Sequence, residues 1–109
     1  MESTIPEYIE QATIYGEELN EGNSQKANRA AKKIGQINHG IIEDGSYKQV
    51  VDALITSEIP SVLYLISSVC LQTGYRLEEA IGILKKMSED ESIGIISMNA
   101  YIAVTECER

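Results

Sequence analysis

Seven acidic side chains lie in or beside three short segments of the chain, and they have the clearest capacity for specific chemistry. They occupy or flank segments 20–23, 57–60 and 89–92, none of which contains Lys or Arg: Glu17, Glu18, Glu21, Glu58, Glu89, Asp90 and Glu91. Carboxylates gathered without bases attract a positively charged partner, which speeds association and disfavours partners of the same charge. We therefore predict that these seven residues bind a basic protein.

A second interpretation of the same carboxylates is structural. Acids near a helix N-terminus stabilise the macrodipole and the free amides of the first turn, which would account for Glu58 and Glu91 without any partner. Glu17 and Glu18 instead lie near the predicted C-terminus of a helix, where a carboxylate is unfavourable. Helix capping therefore leaves part of the acidic set unexplained, and both interpretations are open at this stage.

Patterns for catalysis and metal binding are weak throughout the sequence. The one histidine, His39, has no nucleophile and orienting acid near it in the sequence. The run 89–91 lacks the alternating oxygen ligands and the glycine of a calcium loop. Cys70 and Cys107 lie in apolar stretches without a CxxC spacing, which predicts reduced, buried thiols rather than a disulfide or a zinc site. We expect no enzymatic activity, no metal and no cofactor.

Acidic and basic residues are segregated along the first forty residues of the chain. Residues 1–23 hold six acids and no base, whereas residues 24–39 hold no acid and four bases: Lys26, Arg29, Lys32 and Lys33. Two helices from these stretches would attract each other, which predicts pairing of the basic face with the acidic first helix. The formal net charge of −8 and a sequence pI of about 4.5 argue against a nucleic-acid partner for that basic face.

Apolar residues recur at helical spacing along nearly the whole chain, and no segment alternates as a half-buried strand does. The periodicity predicts six helices, over about 5–19, 24–44, 47–55, 60–73, 76–88 and 93–107. Asn23 or Ser24 is expected to cap the second helix and Ser92 the sixth. Three glycines that fall inside predicted helices are expected to permit close helix packing: Gly35, Gly82 and Gly94.

Short connections between the predicted helices make three antiparallel hairpins within one helical-repeat domain over residues 1–109. The fourth and sixth helices, each the second member of its hairpin, are the most apolar, and Ile95, Met98 and Ile102 thicken the inward stripe of the sixth. An alternation of exposed and buried helices favours a stacked solenoid over the alternative, a closed helical bundle. Stacking places the loops inside the hairpins, and hence the acidic segments, along one edge.

The sequence carries no pattern typical of a membrane protein. Its first four residues include an acid where a secretory signal would carry bases, and no uninterrupted apolar run of about 18 residues occurs. The apolar stripes of the predicted helices are all assigned to the core. We therefore expect a cytoplasmic protein that does not bind membranes.

The stretch Ser24–Ile34, which reads SQKANRAAKKI, resembles the second helix of a family of small bacterial HEAT-like domains. Residues 77–84 and 92–100 occupy the places of later helices in that family. Segment 62–64 departs from the pattern, because Val-Leu-Tyr stands where HEAT-like repeats commonly carry a Val-Arg pair. The resemblance covers nearly the whole chain and implies a HEAT/ARM-like, right-handed α-α superhelix.

Members of this family and related HEAT-like proteins are often encoded beside secreted or contact-delivered bacterial toxins, as in contact-dependent growth inhibition. The resemblance therefore implies an immunity protein, monomeric on its own, that binds its cognate toxin domain and blocks the active site or the substrate path. The acidic edge favours a basic toxin domain, such as a nuclease. The alternative is a cytoplasmic helical-repeat scaffold or adaptor that binds another protein through the same surface.

Overall fold

The computed structural model describes the backbone of residues 4–107 and the side chains of residues 4–106. These residues form six α-helices and one 3₁₀ turn, without a strand, so the predicted all-α class with six helices is confirmed. The elements in chain order are α1 (Thr4–Asn20), α2 (Ser24–Asp44), α3 (Tyr47–Leu54), α4 (Pro60–Thr73), α5 (Leu77–Ser88), the 3₁₀ turn (Glu91–Ile93) and α6 (Ile95–Cys107).

Local capping signals fix most of the helix ends. The side chain of Asn23 accepts a hydrogen bond from the Lys26 amide at 3.2 Å, so the predicted cap of α2 is confirmed. Gly45 and Gly74 follow α2 and α4 with φ values of 82° and 80°, in the left-handed region that glycine adopts without steric cost. Pro60 opens α4 in the first turn, where a missing amide is harmless.

Helix α4 lies at the centre of the molecule and contacts each of the other five helices. Its buried side chains point in several directions, as its nearly uniform apolar sequence predicts, and Val62, Ile66 and Val69 are fully buried. Helix α1 also contacts α6, so the first and last helices of the described chain meet beside α4. The hairpins are thus gathered around α4, and their right-handed superhelical stacking stays a prediction.

Helices α1 and α2 pack against each other as a hairpin, but their opposite charges do not form ion pairs. All four bases of the basic face of α2 are exposed, and Glu10 of α1 shares a shallow depression with three of them: Lys26, Arg29 and Lys33. No ion pair between α1 and α2 occurs among the described residues. The predicted pairing of the two helices is confirmed, while the bases extend into solvent, where ion pairs contribute little.

One helix contact that requires glycine lies at Gly16, which was not among the glycines chosen from the sequence. A Cβ atom at Gly16 would lie 2.8 Å from Cβ of Ser61 on α4, so α1 approaches α4 too closely for any side chain there. Gly35 and Gly82 have open space where a Cβ would stand. The prediction that these two glycines permit close packing was wrong, since both lie on exposed helix faces.

Helix α6 begins later and lies nearer the surface than its sequence predicts. Gly94 adopts φ 72° and ψ −139°, which interrupts the helix, so Ser92 belongs to the preceding 3₁₀ turn and α6 begins at Ile95. Ser92 therefore does not cap α6, and that expectation was wrong. Gly94 lies outside the helix, contrary to expectation, but it does permit a close approach, because a Cβ there would meet the Asn20 side chain at the end of α1. Four large apolar side chains on the outer face of α6, three of them predicted to be inward, are exposed: Ile95, Met98, Tyr101 and Ile102.

Candidate functional site

The turns inside the three hairpins meet at one end of the molecule. The Asn20 side chain, at the end of α1, accepts a hydrogen bond from the Ile95 amide at 3.3 Å, which joins the first turn to the third. Ile59 and Pro60, at the start of α4, lie between them and share a depression with Asn20 and Ile93. Residues from three distant parts of the sequence therefore surround a common surface.

That surface consists of two adjoining depressions, which we call the three-loop groove. The first has a volume of about 340 Å³ and is lined by Glu58, Pro60, Leu63, Lys86, Met87, Asp90 and Ile93. The second has a volume of about 320 Å³ and is lined by Thr13, Gly16, Glu17, Asn20, Ile59, Pro60, Ser61, Ser92, Ile93 and Ile96. Pro60 and Ile93 line both halves, so the two depressions adjoin at these residues.

The three-loop groove has an apolar floor. Leu63 and Met87 contribute to its first half, Ile59 and Ile96 to its second, and Ile93 to both. Ile59 is 38% exposed, so part of this apolar surface is accessible to solvent. The groove therefore offers apolar surface that a partner can cover.

Three of the seven predicted acidic site residues lie on the rim of the groove. Glu17 borders the second half, and Glu58 and Asp90 border the first. None of these three carboxylates forms an ion pair among residues 4–106. Asp90 also stabilises its own turn, because its carboxylate accepts a hydrogen bond from the Ser92 amide at 3.1 Å. The rim therefore presents unneutralised negative charge around apolar surface.

The other four predicted site residues do not line the groove. Glu18 is half-buried, and Glu21 and Glu89 are exposed. Glu91 borders a separate depression of about 420 Å³ beside Met98 and Tyr101 of α6. The acidic residues are thus divided between a groove and its surroundings, and they do not form one continuous cluster.

Two features of the groove were not predicted from the sequence, namely the base Lys86 and the apolar floor. Lys86 belongs to the last turn of α5, outside the three acidic segments, yet it lines the first half of the groove beside Glu58 and Asp90. Ile59 could have been predicted from the sequence as a groove residue, because a large aliphatic residue directly before a proline in a helix break is a candidate for surface contact. No signal in the sequence placed Lys86, because its position depends on how α5 packs against α4.

Residues with catalytic potential lie apart from the groove or are blocked by burial. His39 is exposed on α2 and contacts Glu43 at 3.1 Å, one helical turn away. Cys70 is fully buried, and burial raises the pKa of its thiol, so the reactive thiolate is disfavoured. The side chain of Cys107 lies outside the described part of the structure. His39, exposed on α2, and Cys70, enclosed in the core, do not form a catalytic arrangement with each other.

The described residues contain neither a candidate metal site nor a helix that could cross a membrane. No group of three or more His, Cys, Asp or Glu side chains within residues 4–106 is arranged to hold a metal ion. None of the described helices is long and apolar enough to cross a bilayer. The three-loop groove, with its apolar floor and acidic rim, is therefore the site whose chemistry can be argued from the described residues.

Comparison with known proteins identifies no relative of this chain. No protein-family model, curated protein or solved structure matches the chain. The similarity to small bacterial HEAT-like domains, seen in Ser24–Ile34 and the later helices, therefore stays a prediction. The function has to be inferred from the chemistry of the groove.

Proposed function

We propose that this protein is an immunity protein, which binds a basic toxin domain through the three-loop groove and so blocks the toxin's active site or substrate path. The observation that carries the proposal is the combination of an apolar floor with the unpaired carboxylates of Glu17, Glu58 and Asp90. The resemblance to HEAT-like domains encoded beside toxins supplies the partner class.

The two parts of the groove have different roles in this proposal. Apolar surface around Pro60 and Ile93 supplies affinity when a partner side chain displaces water from it. The rim carboxylates steer a basic surface toward the groove and disfavour acidic proteins. Lys86 adds one positive charge within this negative rim, so the partner is expected to place a hydrogen-bond acceptor opposite it.

A rim of carboxylates is suited to binding a toxin that acts on nucleic acid. Such a toxin needs a basic cleft for phosphates, and carboxylates held on a rigid scaffold can occupy the same cleft. Glu17 lies near the end of α1, and Glu58 and Asp90 lie in turns directly before Pro60 and the 3₁₀ turn. Because each of these residues adjoins a helix or the 3₁₀ turn, the backbone that carries the carboxylates is already ordered before binding.

Growth rescue tests the proposal. The candidate toxin domain encoded beside this protein is expressed inducibly with and without it, and complexes are purified from surviving cells. We expect rescue by a stable complex, and no rescue from an unrelated toxin domain used as a specificity control. Absence of both rescue and complex, with both proteins folded, would contradict the proposal for that pair, whereas a complex without rescue would favour the adaptor.

A further inference from the structure

The outer face of α6 is an apolar surface that the described part of the molecule leaves uncovered. Met98 is 65% exposed and Tyr101 is 61% exposed, and Ile95 and Ile102 extend the face toward both ends of the helix. The inner face of the same helix is buried through Ile96 and Ala100. A helix that is apolar on all sides is normally covered on all sides, so this outer face requires a partner.

We propose that two copies of the chain associate through the outer faces of their α6 helices. A pairing about a two-fold axis needs only one patch, because the same patch serves on both copies. From Ser92 to Thr105 the chain contains no charged residue. The centre of this face can therefore pair without burying a charge, which would be costly at an interface, and Glu91 borders the face at its edge beside Met98 and Tyr101.

The available area is sufficient for self-association. The exposed parts of the four side chains amount to on the order of 500 Å² per copy, comparable to the largest apolar patches of soluble proteins. Complete burial of these residues in both copies would remove about 1,000 Å² from solvent, which is the lower limit for a specific interface. Met and Tyr, which carry most of this area, are residue types enriched in such interfaces.

This pairing leaves the three-loop groove accessible. None of Ile95, Met98, Tyr101 and Ile102 lines either half of the groove. The inference therefore does not depend on the proposed function, and a dimer would present two grooves. It revises the expectation that the protein is a monomer on its own.

Charges at the ends of α6 give the association a distinctive salt dependence. Glu91 precedes the apolar face and Glu106 follows it, so an antiparallel pair brings acidic ends near each other. Each copy also carries a formal charge of −8. Added salt screens this repulsion, so the dimer is expected to strengthen as salt increases, whereas a complex with a basic helix would weaken.

Sedimentation equilibrium of the full chain at low and high salt tests the proposal. We expect a species of twice the 12.0 kDa chain mass that is favoured by salt. Met98→Glu and Ile102→Glu should each raise the dissociation constant by about 30-fold or more with an unchanged circular dichroism spectrum. Gln72→Glu, an exposed α4 position that gains the same charge, is the matched control and should have little effect.

Two results would overturn the proposal. One is a wild-type chain that remains at the mass of one copy throughout the micromolar range at both salt concentrations. The other is a dimer that Met98→Glu and Ile102→Glu leave intact, since the contact would then lie on another surface. In the first case, a different protein would have to cover α6.

Discussion

At the scale of single residues, Gly16 connects the core to the binding surface. Its missing side chain lets α1 lie directly against Ser61 of α4, and both residues line the second half of the groove. The shape of the groove therefore depends on a contact between two helices, as well as on the residues at its rim. Ser61 is buried, so it cannot rotate freely into solvent to make room.

Substitution of Gly16 tests this contact. We expect Gly16→Ala to lower the free energy of unfolding by about 1–3 kcal/mol, because the new methyl group forces α1 and α4 apart. Urea denaturation measures the change. Gly82→Ala is the matched control, since that helical position has open space and should gain up to about 1 kcal/mol from the better helix propensity of alanine. Equal changes in both variants would contradict the assigned contact.

The sequence could not distinguish these two glycines. Both occur within helical periodicity, and the neighbour that matters for Gly16 is Ser61, 45 positions away in the chain. Asn23 and Gly45, in contrast, act on their own helix ends, so their roles could be predicted from the sequence. The difference is physical, since capping is a local interaction and close packing depends on tertiary structure.

At the scale of elements, α6 is positioned by a residue that is 75 positions away in the sequence. Asn20 ends α1, and its side-chain oxygen accepts a hydrogen bond from the Ile95 amide in the first turn of α6. A Cβ at Gly94 would meet the same side-chain oxygen. This arrangement explains why α6 begins after Gly94 and why Ser92, the predicted cap, does not start the helix.

Removal of this cap should loosen the start of α6. We expect Asn20→Ala to reduce the free energy of unfolding by about 1 kcal/mol, a typical cost of losing a side-chain cap. Hydrogen exchange should show faster exchange at the Ile95 amide than in the wild-type chain. Asn28→Ala, an exposed position on α2, serves as the control. Unchanged exchange at Ile95 would mean that Asn20 does not cap α6.

The bounds of the helices could be predicted from the sequence more accurately than their burial. The bounds of α2 and α4 follow from Asn23, Gly45, Pro60 and Gly74, which are strong local signals. The exposure of α6 could not be predicted, because a helix that is apolar on all sides contains no periodicity that distinguishes inside from outside. For the same reason, the sequence predicts that α4 and α6 are both buried helices, although only α4 is central.

At the scale of the whole molecule, the proposed binding rests on where charge lies relative to apolar surface. The three acidic turns were predicted to share an edge, and Glu17, Glu58 and Asp90 do border one groove. The apolar floor and Lys86 were not predicted, because they depend on how α4, α5 and α6 pack together. The net charge of −8 adds a long-range attraction for basic partners that salt will weaken.

The most direct measurement is calorimetric titration of the basic toxin domain with charge-reversal variants at low salt. We expect the double variant Glu58→Lys with Asp90→Lys to weaken binding by at least about tenfold. The matched control, Glu7→Lys with Glu78→Lys, makes the same charge change at the opposite ends of α1 and α5 and should retain most of the affinity. Equal affinities for the two double variants would contradict binding through the three-loop groove.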